Sequence, residues 1–227
     1  MSSEYRNNHY VPIWYQKRFL PPDTTSNELF YRDLKPGKFT DGRGVVRDRR
    51  AVKKTGCRRC FAVGDLYTTH FGGVESKDLE RFFFGTVDSE GRAAVEYFGT
   101  FEHPSADGDH FNNLLRYMTV QKLRTPKGLG WLEQEARTQA DDTLKLMVRL
   151  QQVYAALWTE CIWQIADATS CATKFIVSDH PVTVYNRSCG PSSSWCRGFN
   201  DRWRSTNARR CVRRVAVRYE GAFDSER

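Results

Sequence analysis

The chain has 227 residues, of which 40% are hydrophobic and 27% charged, and its formal net charge is +8. This length is enough for one folded core with a small appendage, and the composition is that of an ordinary globular protein. No apolar run reaches the roughly 18–20 residues that cross a bilayer, and the first five residues lack the pattern of a signal peptide. We therefore expect a cytoplasmic protein with no membrane partner, whose seven Cys residues are reduced thiols.

Short elements are predicted in the first third of the chain. A helix is expected over residues 12–19, because Pro12 suits the first helical turn and two aromatic residues follow four positions apart. Strands are expected over residues 28–33 and 65–68, with turn-forming residues between them. The basic stretch over residues 43–60 is predicted to be irregular, apart from a short strand at Val45-Val46.

Helices are predicted from Ser76 onward. Apolar residues at helical spacing indicate two helices before Gly99, and Asp109 is expected to cap a further helix that Pro126 closes. Residues 131–166 are predicted to form one bent helix or two.

The fold class that these elements indicate is α+β. We expect a mainly helical single globular domain over residues 1–186. Its small sheet would combine the short N-terminal strands with one strand near residues 173–178, where Phe, Ile and Val follow one another.

The composition changes in the tail, residues 187–227. The tail holds ten Arg, no Lys and four acidic residues, a net charge of +6, which leaves +2 for residues 1–186. Because it has no periodic apolar face, we expect it to be poorly ordered. One interpretation is a nucleic-acid-binding arm with Trp195 and Trp203 as stacking platforms. The interpretation we favour is a shifted reading frame, since a basic arm normally includes Lys and avoids free Cys.

Three segments carry a family resemblance. They are N-H-Y-V-P-I-W-Y-Q-K-R-F-L at residues 8–20, Q-K-L-R-T-P at residues 121–126 and F-I-V-S-D-H-P at residues 175–181, called here the first, second and third segments. In this order they resemble a family of mostly bacterial proteins classified as a domain of unknown function (series number forty-two thirty-eight). The residues that match are His9, Pro12, Gln121, Arg124, Ser178, Asp179 and Pro181.

The resemblance covers roughly residues 8–186 and implies no reaction, because the family has none assigned. Family members continue past the third segment with further strands rich in Leu and Pro, and the tail departs from that pattern. The chain is therefore expected to lack, or to have replaced, the end of the family's domain.

We predict that His9, Arg124 and Asp179 are catalytic. Each lies beside a Pro or at the end of a predicted element, where a polar side chain can point into a cleft. Asp179 has a usual position for a metal ligand or general base, and His9 could bind a metal ion or move a proton. The planar guanidinium of Arg124 suits a carboxylate or phosphate group.

Three neighbouring residues are predicted to bind the substrate. Tyr10, Gln121 and Ser178 lie in the same three segments and could orient the substrate by hydrogen bonds. A divalent metal ion is the cofactor that this arrangement would use, and the sequence does not identify which one.

Three functions remain open on these residues. The leading hypothesis is a metal-dependent hydrolase of an anionic substrate such as a phosphodiester. The alternative is a non-catalytic binding or interaction module, in which Asp179 pairs with Arg124 and His9 donates to a backbone carbonyl. The third is a nucleic-acid binder that uses the Arg-rich tail.

Cys57 and Cys60 have the spacing of half a zinc site. No second pair follows at the expected distance, so we expect two ordinary thiols in a loop; a zinc or redox role is the alternative.

Overall fold

The computed structural model describes residues 7–20, 27–71, 74–100, 107–161, 163, 165, 166, 168, 170 and 175–182. These residues separate into two compact units, one of residues up to Leu66 and one that begins at Tyr67. The fold is α+β and mainly helical, as predicted, with short antiparallel strand pairs and six α-helices in the described part of the chain. Whether residues 1–186 behave as one domain stays a prediction, and the tail lies outside the described residues.

The first unit is built from strand pairs and one short helix. Its elements are β1 (Asn7–His9), α1 (Ile13–Lys17), β2 (Glu28–Arg32), β3 (Lys38–Thr40), β4 (Val46–Asp48), β5 (Val52–Gly56) and β6 (Ala62–Gly64). The antiparallel pairs are β1 with β6, β2 with β5, and β3 with β4.

Two of these pairs form one long two-stranded ribbon over residues 28–56. The Asp33 amide donates to the Ala51 carbonyl at 2.7 Å, and the Arg49 amide donates to the Gly37 carbonyl at 2.8 Å. These bonds lie between the β2–β5 and β3–β4 pairs, so the two strands stay together from Glu28 and Gly56 to the tip. We call this element the basic ribbon.

The tip of the basic ribbon is fixed by local hydrogen bonds. Asp41 Oδ1 accepts from the amides of Arg43 and Val45 at 2.9 and 3.0 Å, and Asp41 Oδ2 accepts from Arg47 Nε at 2.7 Å. Gly44 has φ +80°, a left-handed conformation that glycine adopts without steric cost. Turn chemistry therefore sets the register of strands that have little apolar surface to align them.

The second unit begins with a strand pair and continues with helices. Its elements are β7 (Thr69–Phe71), β8 (Val74–Ser76), a π-helical turn (Leu79–Phe84), α2 (Gly85–Phe98), α3 (Gly108–Leu123), α4 (Pro126–Ala136), α5 (Ala140–Arg149) and α6 (Gln151–Thr159). Helix α3 packs against α2 and α6, and nearly all of its second half is buried. On the α6 side, Trp158 Nε1 donates to Thr119 Oγ1 at 3.1 Å.

One predicted strand is wrong, and a second, part of which lies outside the described residues, is not seen among those that the structure describes. Residues 65–67 form a turn with Asp65 at φ +53°, a conformation that a strand cannot continue, and the strand begins later at Thr69. Residues 175–178, within the strand expected near 173–178, pair with no other strand in the described part of the chain. An apolar run alone supplies no partner strand. The stretch 43–60 was predicted to be irregular apart from a strand at Val45-Val46; it contains β4, which overlaps that strand at Val46, and also β5, which was not expected.

The predicted helices are present, but some of them begin or end at residues other than those predicted. Helix α2 ends at Phe98 with Gly99 as its C-cap, as expected. The N-cap of α3 is Asp107 and not Asp109, since the Asp107 carboxylate accepts from the amides of residues 109 and 110. Pro126 begins α4 instead of closing α3.

The stretch predicted as one or two helices contains parts of three, α4 to α6. Within the described residues, none of the helices combines the length and the apolar character that crossing a membrane requires.

Candidate functional site

The first segment docks on the turn that follows the basic ribbon. β1 pairs with β6, His9 Nε2 lies 3.1 Å from the Arg58 carbonyl, and Asn7 Nδ2 donates to the same oxygen at 3.0 Å. Since a carbonyl oxygen can only accept, Nε2 carries the proton of the imidazole. Burial lowers the pKa of His9, although backbone hydrogen bonds oppose this, so the ring is neutral at pH 7. His9, which was predicted to be catalytic, therefore donates a hydrogen bond to the Arg58 backbone carbonyl.

Two further side chains of the first segment contact this turn. Tyr10 packs edge-on against Phe61, with ring centroids 6.1 Å apart, and its amide donates to the Phe61 carbonyl at 3.0 Å. Gln16 is fully buried, and its Nε2 donates to the carbonyls of Val11 and Cys60 at 2.8 and 3.2 Å. The aromatic terminus is thus fixed within the first unit by side-chain and backbone hydrogen bonds.

Cys57 and Cys60 are buried free thiols in the same turn. Burial raises the pKa of both, and for Cys60 the neighbouring Cys57 adds to the rise. Both are therefore protonated at pH 7, the form that is weak both as nucleophile and as metal ligand. In the part of the chain that the structure describes, no three His, Cys, Asp or Glu side chains gather as a metal site would require.

Arg124 lies at the end of α3 with its side chain 1% exposed. Its Nε and Nη2 donate to Gln121 Oε1 at 3.0 and 2.6 Å, and Nη2 forms an ion pair with Asp88 Oδ1 on α2 at 2.8 Å. The guanidinium also lies 5.5 Å from the ring centroid of Phe84. Burial is the largest single influence and alone would lower the pKa of Arg124, but Asp88, Tyr67 and Tyr117 together raise the pKa above its usual value. The guanidinium is charged at every accessible pH.

The second segment also anchors the third. Thr125 caps α4, where its Oγ1 accepts from the Gly128 amide at 3.1 Å, and the same oxygen lies 2.7 Å from His180 Nδ1. With one proton and two lone pairs, the Thr125 hydroxyl can accept from Gly128 and either donate to Nδ1 or accept from Nδ1–H, so the contact fits both neutral tautomers of His180. Burial and the positive charges of Lys122 and Lys127 lower the pKa of His180 to about 3.

Ser178 and Asp179 directly precede His180 in the third segment. Both side chains are exposed, and Ser178 Oγ accepts from the His180 amide at 3.2 Å. Arg124 forms its ion pair with Asp88 and not with exposed Asp179, the partner that the binding-module alternative predicted, so that part of the alternative is wrong.

The structure thus places the six predicted site residues in two groups. Gln121 and Arg124 are bonded to each other in the second unit, and the neighbouring Thr125 holds the third segment. His9 and Tyr10 belong to the first unit. Their convergence with Arg124 and Asp179 stays a prediction.

Sequence reasoning missed Asp88, Phe84, Thr125 and His180. His180 and Thr125 lie inside the segments already singled out, next to the residues chosen. Phe84 and Asp88 are four residues apart, so helical spacing places them on one face, but nothing in the sequence links that face to Arg124.

No protein-family model matches the chain, and no curated protein or solved structure matches it either. The family resemblance carried by the three segments therefore stays a prediction.

Proposed function

We propose that the chain is a non-catalytic, cytoplasmic binding module, in which the second and third segments stabilise the helical unit. The burial of Arg124 is the observation that carries this proposal. A guanidinium that recruits a substrate anion has to be reachable, whereas Arg124 is 1% exposed and already engaged by Gln121 and Asp88. Buried ion pairs with such geometry are common structural elements.

The other predicted residues support the same proposal. His9 donates to a backbone carbonyl, which is the role expected of it in a binding module. His180 is the buried residue of the third segment and contacts Thr125, whereas Asp179 is exposed. The metal-dependent hydrolase stays a prediction, and it requires His9, Arg124 and Asp179 to meet around a divalent cation.

The test compares two Arg–carboxylate pairs between the same helices. Arg124→Met is expected to lower the free energy of unfolding by about 2–4 kcal/mol, because it leaves Gln121 and Asp88 without their partner. The matched control is Arg116→Met, which removes an α3–α2 pair with Glu90 at 2.9 Å whose side chains are 37% and 39% exposed. That loss should stay below about 1 kcal/mol. Urea unfolding of both variants measures the difference.

Activity measurements test the hydrolase hypothesis directly. The chain is incubated with bis(p-nitrophenyl) phosphate and Mg²⁺, Mn²⁺ or Zn²⁺, and no turnover above buffer is expected. Metal-dependent turnover that Arg124→Lys abolishes at unchanged stability would overturn the proposal. Arg124→Lys serves this purpose because it keeps the charge and loses only the planar fork.

A further inference from the structure

Among the residues that the structure describes, positive charge is concentrated in the first unit. Its described residues contain thirteen Lys and Arg against five Asp and Glu, whereas those of the second unit contain ten against fourteen. Near-neutrality of residues 1–186 as a whole conceals this separation. Counted over every residue, the net charge is +7 for residues 1–66 and −5 for residues 67–186, so an anionic partner is attracted to the first of these stretches.

Most of this charge lies on the basic ribbon. The ribbon contains nine Lys and Arg and four Asp and Glu, and all nine basic side chains are exposed. Two of its acids form ion pairs within the ribbon, Asp41 with Arg47 at 2.7 Å and Glu28 with Lys54 at 2.9 Å. A net charge of +5 remains along an element that is open to solvent.

The basic ribbon also exposes two aromatic rings beside cations. Phe30 is 72% exposed and lies directly opposite Lys54 in the β2–β5 register. Phe39 is 42% exposed and lies opposite Arg47 in the β3–β4 register. Directly opposed residues of an antiparallel pair share a face, so each ring has a basic side chain next to it, and that side chain is also ion-paired with an acid of the ribbon.

We propose that the basic ribbon binds single-stranded nucleic acid, with bases stacked on Phe30 and Phe39 and phosphates bound by the Lys and Arg side chains. The inference rests on the proposed function, since it names the partner of the binding module. Exposed rings beside cations are the arrangement that single strands need, because every base offers a face for stacking and every nucleotide a phosphate. An acidic protein would match the charge and leave the rings unused, and duplex DNA keeps its bases stacked internally.

The binding experiment uses the full chain and fluorescein-labelled 20-nucleotide oligothymidylate and oligouridylate, followed by fluorescence anisotropy. Both strands are expected to bind. If the ribbon neutralises three to five phosphates, affinity should fall by roughly 20- to 100-fold between 50 and 200 mM salt. A 20-base-pair duplex is expected to bind at least about tenfold more weakly than either strand.

Phe30→Thr and Phe39→Thr remove the rings and keep strand propensity. Each should weaken binding by at least about fivefold, the lower end for loss of one stacked base. The matched control is Phe82→Ala, because Phe82 is 60% exposed and lies beside Arg81 at 5.2 Å, but in the second unit. This variant should bind within about twofold of the unmodified chain.

Charge variants test the phosphate contacts separately. Arg49→Gln with Arg50→Gln should weaken binding to both strands and flatten its dependence on salt. Arg92→Gln with Lys145→Gln, on the helices of the second unit, should change neither. Circular dichroism and urea midpoints establish that the variants are folded.

Four results would overturn the proposal. They are no binding of either strand at 50 mM salt, binding unchanged by both Phe variants, equal or tighter binding of the duplex, and binding lost on Trp195→Ala with Trp203→Ala in the tail instead. Should a Phe variant not fold, amide shift changes of the unmodified chain with oligothymidylate decide: they are expected within residues 28–56, and changes confined to the helices contradict the ribbon. Hydrolysis that depends on Arg124 would overturn the proposed function and leave these binding results unaffected.

Discussion

A neutral histidine joins the second and third segments, and its neutrality makes stability depend on pH. The pKa of His180 is about 3 in the folded chain and near 6.5 in the unfolded chain. Between these pH values, His180 is protonated in the unfolded chain and neutral in the folded chain. The contribution of neutral His180 is complete above pH 6.5 and decreases as the pH falls. We expect a loss of up to about 2 kcal/mol at pH 5.

The measurement is urea unfolding at pH 7 and pH 5 for the unmodified chain and for His180→Gln. All groups other than residue 180 are the same in both proteins, so their titration contributes equally to both. The difference between the two proteins therefore isolates His180. A difference that does not change between pH 7 and pH 5 would contradict the neutral, Thr125-bonded imidazole.

At the residue scale, the three segments contain buried, hydrogen-bonded side chains, but these are not always the side chains that the sequence singled out. The motif S-D-H-P pointed to Asp179, yet Asp179 is exposed and the next residue is buried. In a stretch without helical or strand periodicity, no pattern tells which neighbour faces inward. Arg124 was predicted to be catalytic, and that role stays a prediction; its partner Asp88 lies on another helix, and a single sequence carries no signal for such long-range contacts.

At the scale of elements, α2 and α3 cross closely at Gly91. A Cβ added at Gly91 would lie 2.6 Å from three carbon atoms of Tyr117, well inside van der Waals contact. Gly91→Ala is therefore expected to destabilise the chain by about 1–3 kcal/mol, although Ala has the better helix propensity. Gly130→Ala is the matched control, because nothing lies within 4 Å of its Cβ position in α4. It should stabilise by about 0.5–1 kcal/mol, and urea midpoints compare the two.

A neutral or stabilising effect of Gly91→Ala would mean that the helices separate at little cost.

The same element scale shows where sequence patterns are informative. Amphipathic helices such as α2 and α3 follow from apolar spacing, since one face is buried. β3 was not predicted, and β4 was predicted only as a short strand at Val45-Val46. Every residue in β3 and β4 is exposed, so no apolar alternation marks them. Their pairing depends on the turn at Asp41, not on burial.

The composition of the whole chain predicted a globular protein, but it did not reveal how charge is distributed between the two units. The balance of helix and strand, and the absence of a membrane-length apolar run, both follow from the sequence. The separation of charge between the two units does not follow from the net charge of residues 1–186, because the boundary at Leu66 is not marked by a linker or a composition change. The segment order alone could not assign His9 and Arg124 to different units.

The uneven burial of the molecule predicts an uneven pattern of amide hydrogen exchange. In α3 and just beyond it, every residue from 114 to 125 except Arg116 is buried, whereas residues 42–50 at the tip of the basic ribbon are all exposed. Opening the tip exposes little apolar surface, so its amides should exchange orders of magnitude faster than those of α3, which exchange through larger unfolding events. Exchange followed by mass spectrometry, normalised to intrinsic rates, tests this. Comparable protection of the tip and α3 would mean that a further contact covers the basic ribbon in solution. That contact would have to open before a nucleic-acid strand could bind.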